Sequence, residues 1–294
     1  MNAALVADIA AAIGAATGAR FEVARHAEAG GGCINRAVTL SGSDGRRFFV
    51  KLNRAEALDM FAAEAAGLDE LRASGAIRAP APVAHGTAGG RAFLALEWLE
   101  LDGRGSGAKL GRRLAALHRV GARTYGWHRD NTIGSTPQKN PQSEDWLDFL
   151  RRWRLGFQLA LAARNGAPRR LLERGEHLFD ELEAFFPGYR PVPSLLHGDL
   201  WGGNYGYAQG GPVLFDPAVY YGDREADLAM TELFGGFSGD FYAAYREAWP
   251  LDSGYATRRR LYNLYHVLNH FNLFGGGYGE QAGRMIDGLL AEIA

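Results

Sequence analysis

Short apolar runs alternate with turn residues near the start of the chain. Residues 21–53 read FEVARHAEAGGGCINRAVTLSGSDGRRFFVKLN, with glycines after the first run and SGSDG after the second. Alternation interrupted by Gly, Ser and Asp is typical of strands joined by short loops. We therefore predict a strand, a Gly loop, a strand, a turn and a third strand, with Lys51 ending the third strand.

A helical period replaces the alternation over residues 54–73. At roughly 100° per residue, one face collects four apolar side chains, Leu58, Phe61, Leu68 and Leu71. Glu64 falls on that same face. A carboxylate that is turned inward requires a cation as its partner.

The remaining pattern divides the chain near residues 100–105. RAFLALEWLEL, residues 91–101, predicts another strand that runs into a connector, and the sequence from Leu110 onward is mostly amphipathic and helical. Only the region of residues 195–229 interrupts those helices with short strands. We expect an α+β protein with an N-terminal part over residues 1–102 and a C-terminal part over residues 103–294.

Composition excludes several classes of protein. The 294 residues are 47% hydrophobic with a net charge of -1, which argues against a nucleic-acid binder. No segment has the roughly 18 uncharged apolar residues of a membrane span. The first 20 residues carry Asp8 and lack a basic leading region, so we interpret them as an amphipathic helix and not as a signal peptide. A single cysteine, Cys33, excludes an intrachain disulfide framework. We expect a cytoplasmic protein.

Lysine is scarce in this chain. The only lysines are Lys51, Lys109 and Lys139, and all other side chains counted as Lys or Arg are arginines. GC-rich codon usage accounts for such a bias. A lysine that persists is still informative, because its compact ammonium fits a confined phosphate contact that a planar guanidinium does not.

Three polar residues have the spacing of a phosphoryl-transfer site. Asp199 and Asn204 form a D-x-x-x-x-N pattern on a predicted loop, and Asp216 follows the short apolar strand PVLF. Phosphoryl transfer needs a carboxylate to orient the attacking hydroxyl and oxygen ligands to hold Mg²⁺ on the phosphates. Protein-kinase-like enzymes use this order of residues. The Gly loop, Lys51 and Glu64 supply the expected upstream parts in the required order.

HGDLWGGN, followed by DPAVYYGDREADLAMTELFGG, closely resembles the fructosamine/ketosamine kinase family, which is related to aminoglycoside and choline kinases. The resemblance continues through GGGCIN, FFVK, ALEWLEL, LGRRLAALHR and YGWHRDNTIGSTPQKN, and so covers practically the whole chain. It implies a bilobal protein-kinase-like fold of the α+β class. The small N-lobe would be an antiparallel sheet with an inserted helix, and the C-lobe would be mainly helical.

The resemblance also implies a role for each residue of the loop. Asp199 would be the catalytic base, and Asn204 and Asp216 would hold Mg²⁺. Asp227 would brace the backbone of the catalytic loop. His197 would likewise have a supporting role and not a catalytic one.

ATP would be bound by residues of the N-lobe. The resemblance assigns to it Gly30, Gly31, Gly32, Cys33, Lys51, Glu64, Glu97 and Leu99. The glycines would let backbone N–H groups approach the phosphates. Lys51 would contact the phosphates while pairing with Glu64. The Glu97 carbonyl and the Leu99 N–H would face adenine.

Cys33 lies within the expected phosphate loop, and two interpretations stay open for it. It is either a small buried residue or a thiol whose oxidation weakens ATP binding. As the only cysteine, it could form a disulfide only between two chains.

Two groups of residues are candidates for the acceptor pocket. Trp201 either packs on a sugar ring or only anchors the loop. WHRDNTIGSTPQKN, residues 127–140, contains ordinary turn formers. The resemblance implies that its residues His128, Asp130 and Asn131 shape the acceptor pocket.

The sequence departs from protein kinases at two points. DPA stands where they have DFG, and Trp201 stands where they have a Lys two residues after the catalytic Asp. We expect a constitutively active kinase that is a monomer or weak dimer. It would use ATP and Mg²⁺ to phosphorylate O3 of a ribulosamine- or fructosamine-type ketosamine, free or on protein lysines, leading to deglycation. The alternatives are a kinase for another small hydroxyl compound, aminoglycoside- or choline-like, or a nucleotide-binding pseudokinase. The latter predicts damage to Lys51, Asp199, Asn204 or Asp216, and all four are intact.

Overall fold

The chain forms two units in a computed structural model that describes residues 1–30 and 34–293. Unit 1 consists of Met1–Gly105 together with Gly206–Asp216. Unit 2 consists of Ser106–Tyr205 and the chain from Pro217 onward. The sequence-based division after residue 102 did not anticipate that residues 206–216 belong with the N-terminal part.

Unit 1 is built on a five-stranded antiparallel sheet with the order β1-β2-β3-β5-β4. The strands are β1 (Val23–Ala29), β2 (Arg36–Gly42), β3 (Arg47–Arg54), β4 (Pro82–Ala88) and β5 (Arg91–Glu97). Lys51 lies opposite Ala37 of β2 and Leu94 of β5. The expectation that Lys51 ends its strand is wrong, because the pairing with β5 continues to Arg54.

The two faces of this sheet carry different sets of side chains, because successive residues of a strand point to opposite faces. One face packs against helix α1 (Ala3–Thr17), whose buried Leu5, Ile9 and Ile13 belong to the same hydrophobic cluster as Val50 and Leu52 of β3. Burying such a side chain contributes about 1.5–3 kcal/mol. The other face carries Lys51. The α1 side of the sheet is therefore the core of unit 1.

Helix α2 (Leu58–Ala73) follows a 3-10 turn over Ala55–Ala57 and packs on β4 and β5. Phe61, Leu68 and Leu71 are buried, as the helical period predicts. Glu64 lies on the inward side with them, and its side chain is only 11% exposed. The inserted helix thus brings one carboxylate to the Lys51 face of the sheet.

A hairpin of β9 (Tyr205–Ala208) and β10 (Gly211–Leu214) carries the chain back into unit 1. Val213 forms a parallel bridge with Arg78. The Asp102 N–H donates to the Tyr207 carbonyl at 2.7 Å, and Asp102 Oδ2 accepts from the Gly210 N–H at 2.9 Å. These bonds explain why residues 206–216 belong to unit 1.

Unit 2 is mainly helical. Its helices are α3 (Gly107–His118), α4 (Trp146–Phe149), α5 (Gly156–Arg164), α6 (Arg169–Asp180), α7 (Glu225–Leu233), α8 (Gly239–Ala248), α9 (Tyr255–Phe274) and α10 (Tyr278–Leu290). A π-helical turn, Leu150–Leu155, joins α4 to α5, and a 3-10 turn, Leu182–Phe185, follows α6. Two short antiparallel pairs complete it: β6 (Asn131–Ile133) with β7 (Thr136–Gln138), and β8 (Ser194–Leu196) with β11 (Tyr220–Gly222). Across the described part of the chain, every helix is too short or too polar to cross a membrane.

Candidate active site

A buried lysine lies between two carboxylates in unit 1. Lys51 Nζ is 2.6 Å from Glu64 Oε1 and 2.5 Å from Asp216 Oδ1. Strand β3 supplies the lysine, α2 supplies Glu64, and Asp216 follows the β9–β10 hairpin. The structure therefore brings together three of the residues that the sequence singled out.

Both carboxylates of this cluster stabilise the charged form of Lys51, whereas the charge of Asp216 raises the pKa of Glu64. Burial by itself lowers the pKa of Lys51, but the neighbouring carboxylates of Asp216 and Glu64 outweigh it and hold that pKa above its ordinary value. Burial raises the pKa of Glu64, and Lys51 opposes that rise. Lys51 therefore remains an ammonium ion, as a contact to phosphate oxygens requires.

Asp216 has an unusual backbone conformation. Its φ is +59°, in the left-handed region that costs a non-glycine residue roughly 1–2 kcal/mol. Such strain is concentrated at functional sites, where surrounding contacts hold it in place. The carboxylate is 43% exposed although Oδ1 contacts Lys51. Asp216 thus presents a charged group to solvent from a fixed position.

The sheet surface beside Lys51 is apolar and partly made of small side chains. Directly paired residues share a face, so Ala37 and Leu94 flank Lys51 across the strands. By the same register, Thr39 and Leu96 flank Phe49. A flat ring system fits such a surface better than a bulky one.

The segment expected to contact adenine begins at the end of β5. The Glu97 carboxylate accepts from Arg78 Nη2 at 2.9 Å and from the Ala81 N–H at 3.1 Å. Its N–H donates to the Ala81 carbonyl at 2.8 Å. These bonds fix the Glu97 side chain and N–H. Leu99 follows two residues later and is half-buried.

The expected phosphate loop lies only partly within the described residues. Gly30 lies at the end of β1 and is exposed. Gly31, Gly32 and Cys33 lie outside the described residues, so their assigned roles and the two interpretations of Cys33 stay predictions.

The loop after β8 in unit 2 joins Asp199 to Asn204. Asn204 Nδ2 donates to the Asp199 carbonyl at 2.8 Å and to Asp199 Oδ2 at 3.2 Å. The Trp201 N–H donates to the Asp199 carbonyl at 3.1 Å, and the Asn204 N–H donates to the Trp201 carbonyl at 3.0 Å. The loop is therefore closed on itself, and the Asp199 carboxylate is oriented by an amide.

Asp227 holds the start of this loop from helix α7. Its buried carboxylate accepts from the backbone N–H groups of His197, at 2.7 Å, and Gly198, at 2.8 Å. His118 Nε2 lies 3.1 Å from Oδ2. Burial raises the pKa of Asp227, but the bond from His118 and the surrounding donors outweigh it and hold the pKa low. A carboxylate that stays ionised is suited to fixing two backbone donors.

Gly198 is required by the conformation of the loop. Its φ is +83°, and a Cβ there would lie 2.1 Å from the Ala218 carbonyl oxygen. His197 beside it is buried, and its Nδ1 accepts from the Asp199 N–H at 3.3 Å. The structure places His197 behind the loop, where it supports the backbone of Asp199.

The three candidate residues of the 127–140 segment have different environments. Asn131 is buried: its Nδ2 donates to the Val219 carbonyl at 2.8 Å, and its Oδ1 accepts from Gln138 and Asn140. Its amide therefore holds the segment in shape. Asp130 and His128 are exposed. Burial raises the pKa of Asp130, but Lys139, 2.7 Å away, outweighs it and lowers the pKa overall.

Sequence reasoning missed the residues that anchor this segment. Buried Arg154 donates to the Lys139 carbonyl at 2.7 Å and to Asn140 Oδ1 at 2.6 Å, and it stacks on Tyr220 with Cζ 3.9 Å from the ring centre. His118, the third partner of Asp227, was also missed. A signal existed for Arg154, because it falls four residues after Leu150 on the apolar face of its helix.

The donor set fits Mg²⁺ chemistry. In residues 1–30 and 34–293 there is no cluster of three or more His, Cys, Asp or Glu side chains arranged to hold a metal ion. Mg²⁺ usually takes one or two protein oxygens and completes its shell with waters and substrate phosphates. Asp216 of unit 1 and Asn204 of unit 2, the two residues expected to hold Mg²⁺, each carry an oxygen of this chemical kind, and their role as ligands stays a prediction.

Comparisons with known proteins agree with these observations. The family model "Fructosamine kinase" matches residues 5–292. A "Probable ketoamine kinase" from Synechocystis is 47% identical over 95% of this chain and 94% of the relative. A chloroplastic "Protein-ribulosamine 3-kinase" from Oryza sativa subsp. japonica is 42% identical over 89% of this chain and 77% of the relative.

A solved structure extends the likeness to the fold. The "Putative fructosamine-3-kinase" from Haemophilus somnus matches with a TM-score of 0.88 at 27% identity, covering 98% of each chain. The prediction of an α+β, protein-kinase-like fold is confirmed. So is the resemblance drawn from the HGDLWGGN and DPAVYYGDREADLA motifs: this chain belongs to the fructosamine kinase family.

Proposed function

We propose that this protein is an ATP-dependent ketosamine kinase that phosphorylates O3 of the sugar part of a ribulosamine- or fructosamine-type glycated amine. The observation that carries the proposal is the Asp199 carboxylate, oriented by Asn204 in a loop that Asp227 fixes. The names of the relatives support the same acceptor class.

The residues divide the reaction between them. The acceptor hydroxyl donates its proton to the Asp199 carboxylate as its oxygen bonds to the γ-phosphorus, and the bond from that phosphorus to the β–γ bridging oxygen breaks to release ADP. Lys51 neutralises phosphate charge while Glu64 keeps its ammonium in place. Asn204 and Asp216 would hold Mg²⁺, and the bound ion would supply stabilisation of negative charge on the phosphates.

The product explains why this reaction leads to deglycation. A ketosamine carries its amine on C1 and its carbonyl on C2, so enolisation toward C1 places the O3 phosphate next to a carbon–carbon double bond. Expulsion of the phosphate then gives an imine at C1, and water cleaves that imine to release the free amine. Only the phosphorylation needs the enzyme. Free amines and protein lysines are both carriers compatible with this chemistry.

ADP release with MgATP tests the proposal. The acceptor panel contains a ribulosamine, a fructosamine, an aminoglycoside and a blank, each assayed with the wild type and with Asp199→Asn. We expect turnover on a ketosamine that disappears in the variant. Turnover on the aminoglycoside alone would instead assign a different acceptor class, and no turnover on either ketosamine would refute the proposal.

A further inference from the structure

The Trp201 side chain packs against Gly203, a residue of the same loop. A Cβ built on Gly203 would lie 2.3 Å from both Cη2 and Cζ2 of Trp201 and 2.8 Å from Cζ3, well inside van der Waals contact. The six-membered ring of the indole therefore occupies the space that any side chain at position 203 would need. A Cβ on the neighbouring Gly202 would meet nothing within 4 Å.

The backbone of Trp201 is held at both ends of the residue. Its N–H donates to the Asp199 carbonyl at 3.1 Å, and its carbonyl accepts from the Asn204 N–H at 3.0 Å. With the backbone fixed, the side-chain rotamer decides where the ring lies. Trp201 is 41% exposed, so much of its surface is available to a ligand.

We infer that Gly203 is a specificity-determining residue of the acceptor site, because its missing side chain lets the six-membered ring of the Trp201 indole lie against the catalytic loop at this position. This inference rests on the proposed function, in which the acceptor is a sugar presented to Asp199. Aromatic faces pack well on apolar ring surfaces, and the position of the indole sets how close the sugar comes to the loop. A side chain at 203 pushes the ring outward, into the volume that the sugar needs.

A methyl group at position 203 would collide first with the Trp201 indole. The atoms that a Cβ at 203 would meet belong to the far end of the Trp201 side chain and not to backbone. An alanine there is therefore accommodated by rotation of the indole, and the loop bonds between Asp199 and Asn204 persist. Gly203 is a positioning residue, since it acts through Trp201.

Steady-state kinetics of Gly203→Ala test this role against the matched control Gly202→Ala. We expect Gly203→Ala to raise the KM for a ketosamine about tenfold, the equivalent of one aromatic packing contact, with the KM for ATP unchanged. Gly202→Ala should match the wild type. Equal behaviour of the two alanine variants would overturn the inference.

A double-mutant cycle separates the indole from other effects of the added methyl group. If Gly203 acts through Trp201, Gly203→Ala has no further effect in a Trp201→Ala background. An undiminished effect in that background would show that the methyl group does not act through Trp201, and would overturn the inference.

A spectroscopic readout keeps this inference distinct from the proposed function. In protein labelled with 5-fluorotryptophan, the signal of Trp201 is the one of six that Trp201→Phe removes. It should shift in Gly203→Ala and stay in place in Gly202→Ala. An unshifted signal in Gly203→Ala overturns the inference even if ketosamines are turned over. Failure of the wild type on every ketosamine refutes the proposed function, whatever the spectrum shows.

Discussion

Lys51 Nζ lies 2.5 Å from Asp216 Oδ1, although 165 positions separate the two residues along the chain. The lysine is on the central strand of its sheet, and the aspartate follows a hairpin that returns to the same unit. Glu64 Oε1 lies 2.6 Å from the same nitrogen, and the Lys51 side chain is only 7% exposed. This geometry makes the position specific for lysine.

Lys51→Arg should therefore fail despite conserving the charge. A guanidinium is wide and planar and does not fit between carboxylates placed for one nitrogen atom. We expect turnover to fall on the order of 10²-fold, the loss typical of removing one charge-stabilising donor. The measurement is ADP release at saturating ketosamine, with Lys109→Arg, a substitution on α3 outside the Lys51 cluster, as the matched control. A Lys51→Arg enzyme as active as that control would contradict the geometric argument.

Asp199→Asn removes the proton acceptor while keeping the size of the side chain. Loss of a general base typically costs on the order of 10²–10⁴ in rate. We expect such a loss in kcat, with nucleotide binding and thermal stability near those of the wild type, because the loop is held by backbone bonds and by Asp227. Turnover within a few-fold of the wild type would remove Asp199 from the role of base.

Asp227→Ala should destabilise the protein. The substitution leaves the backbone N–H groups of His197 and Gly198 buried without their acceptor, and it removes the Nε2 partner of His118, whose Nδ1 still contacts the Tyr245 hydroxyl. Each buried donor that loses its acceptor costs about 1–3 kcal/mol, so we expect the variant to lose about 2–6 kcal/mol. Urea denaturation measures the loss in the free energy of unfolding. Asp130→Asn, which breaks an exposed pair with Lys139, should cost less than about 1 kcal/mol, and equal losses would contradict the role of Asp227.

His266 should make the protein sensitive to acid. Burial, with a smaller contribution from the charge of His270, lowers the pKa of His266 to about 3, against 6.5 for an ordinary histidine. Because the folded pKa is depressed, the stability linked to neutral His266 is complete above pH 6.5 and is lost as the pH falls toward 3. The loss amounts to about 1.4 kcal/mol for each pH unit in that window.

Denaturation of the wild type and of His266→Gln at several pH values tests this linkage. Between pH 6.5 and about 4 the variant should lose stability less steeply than the wild type, whatever its stability at neutral pH. Parallel curves for the two proteins would show that His266 does not titrate on unfolding.

Local patterns along the chain predicted much of the fold and one side of the site. Glu64 was identified as inward because its helical period matches that of Phe61 and Leu68, and such periodicity needs no knowledge of distant contacts. Four of the five strands of the sheet were predicted from local alternation, whereas β4 (Pro82–Ala88) was not. Lys51 was misplaced at a strand end, because pairing with β5, not the local pattern, carries β3 on to Arg54.

The parts that sequence reasoning did not find depend on long-range contacts. His118 meets Asp227 across 109 positions, and Gln138 donates to the Ala218 carbonyl across 80. Nothing in the local spacing or composition of the sequence distinguishes His118 or Gln138 as a residue with such a partner. The contact of Trp201 with Gly203 is short in sequence, yet it depends on a side-chain rotamer that no pattern of residue types determines.

The return of residues 206–216 to unit 1 has a consequence for synthesis of the protein. A ribosome that has made the first 105 residues has not made β10 or Asp216, so Lys51 has only Glu64 to balance its charge. At ~5–20 residues per second, the missing segment follows roughly 5–20 s later. Unit 1 therefore cannot complete its folding until residue 216 has been translated. In a nascent chain stalled between residues 105 and 216, Lys51 has Glu64 but lacks Asp216 as a carboxylate partner.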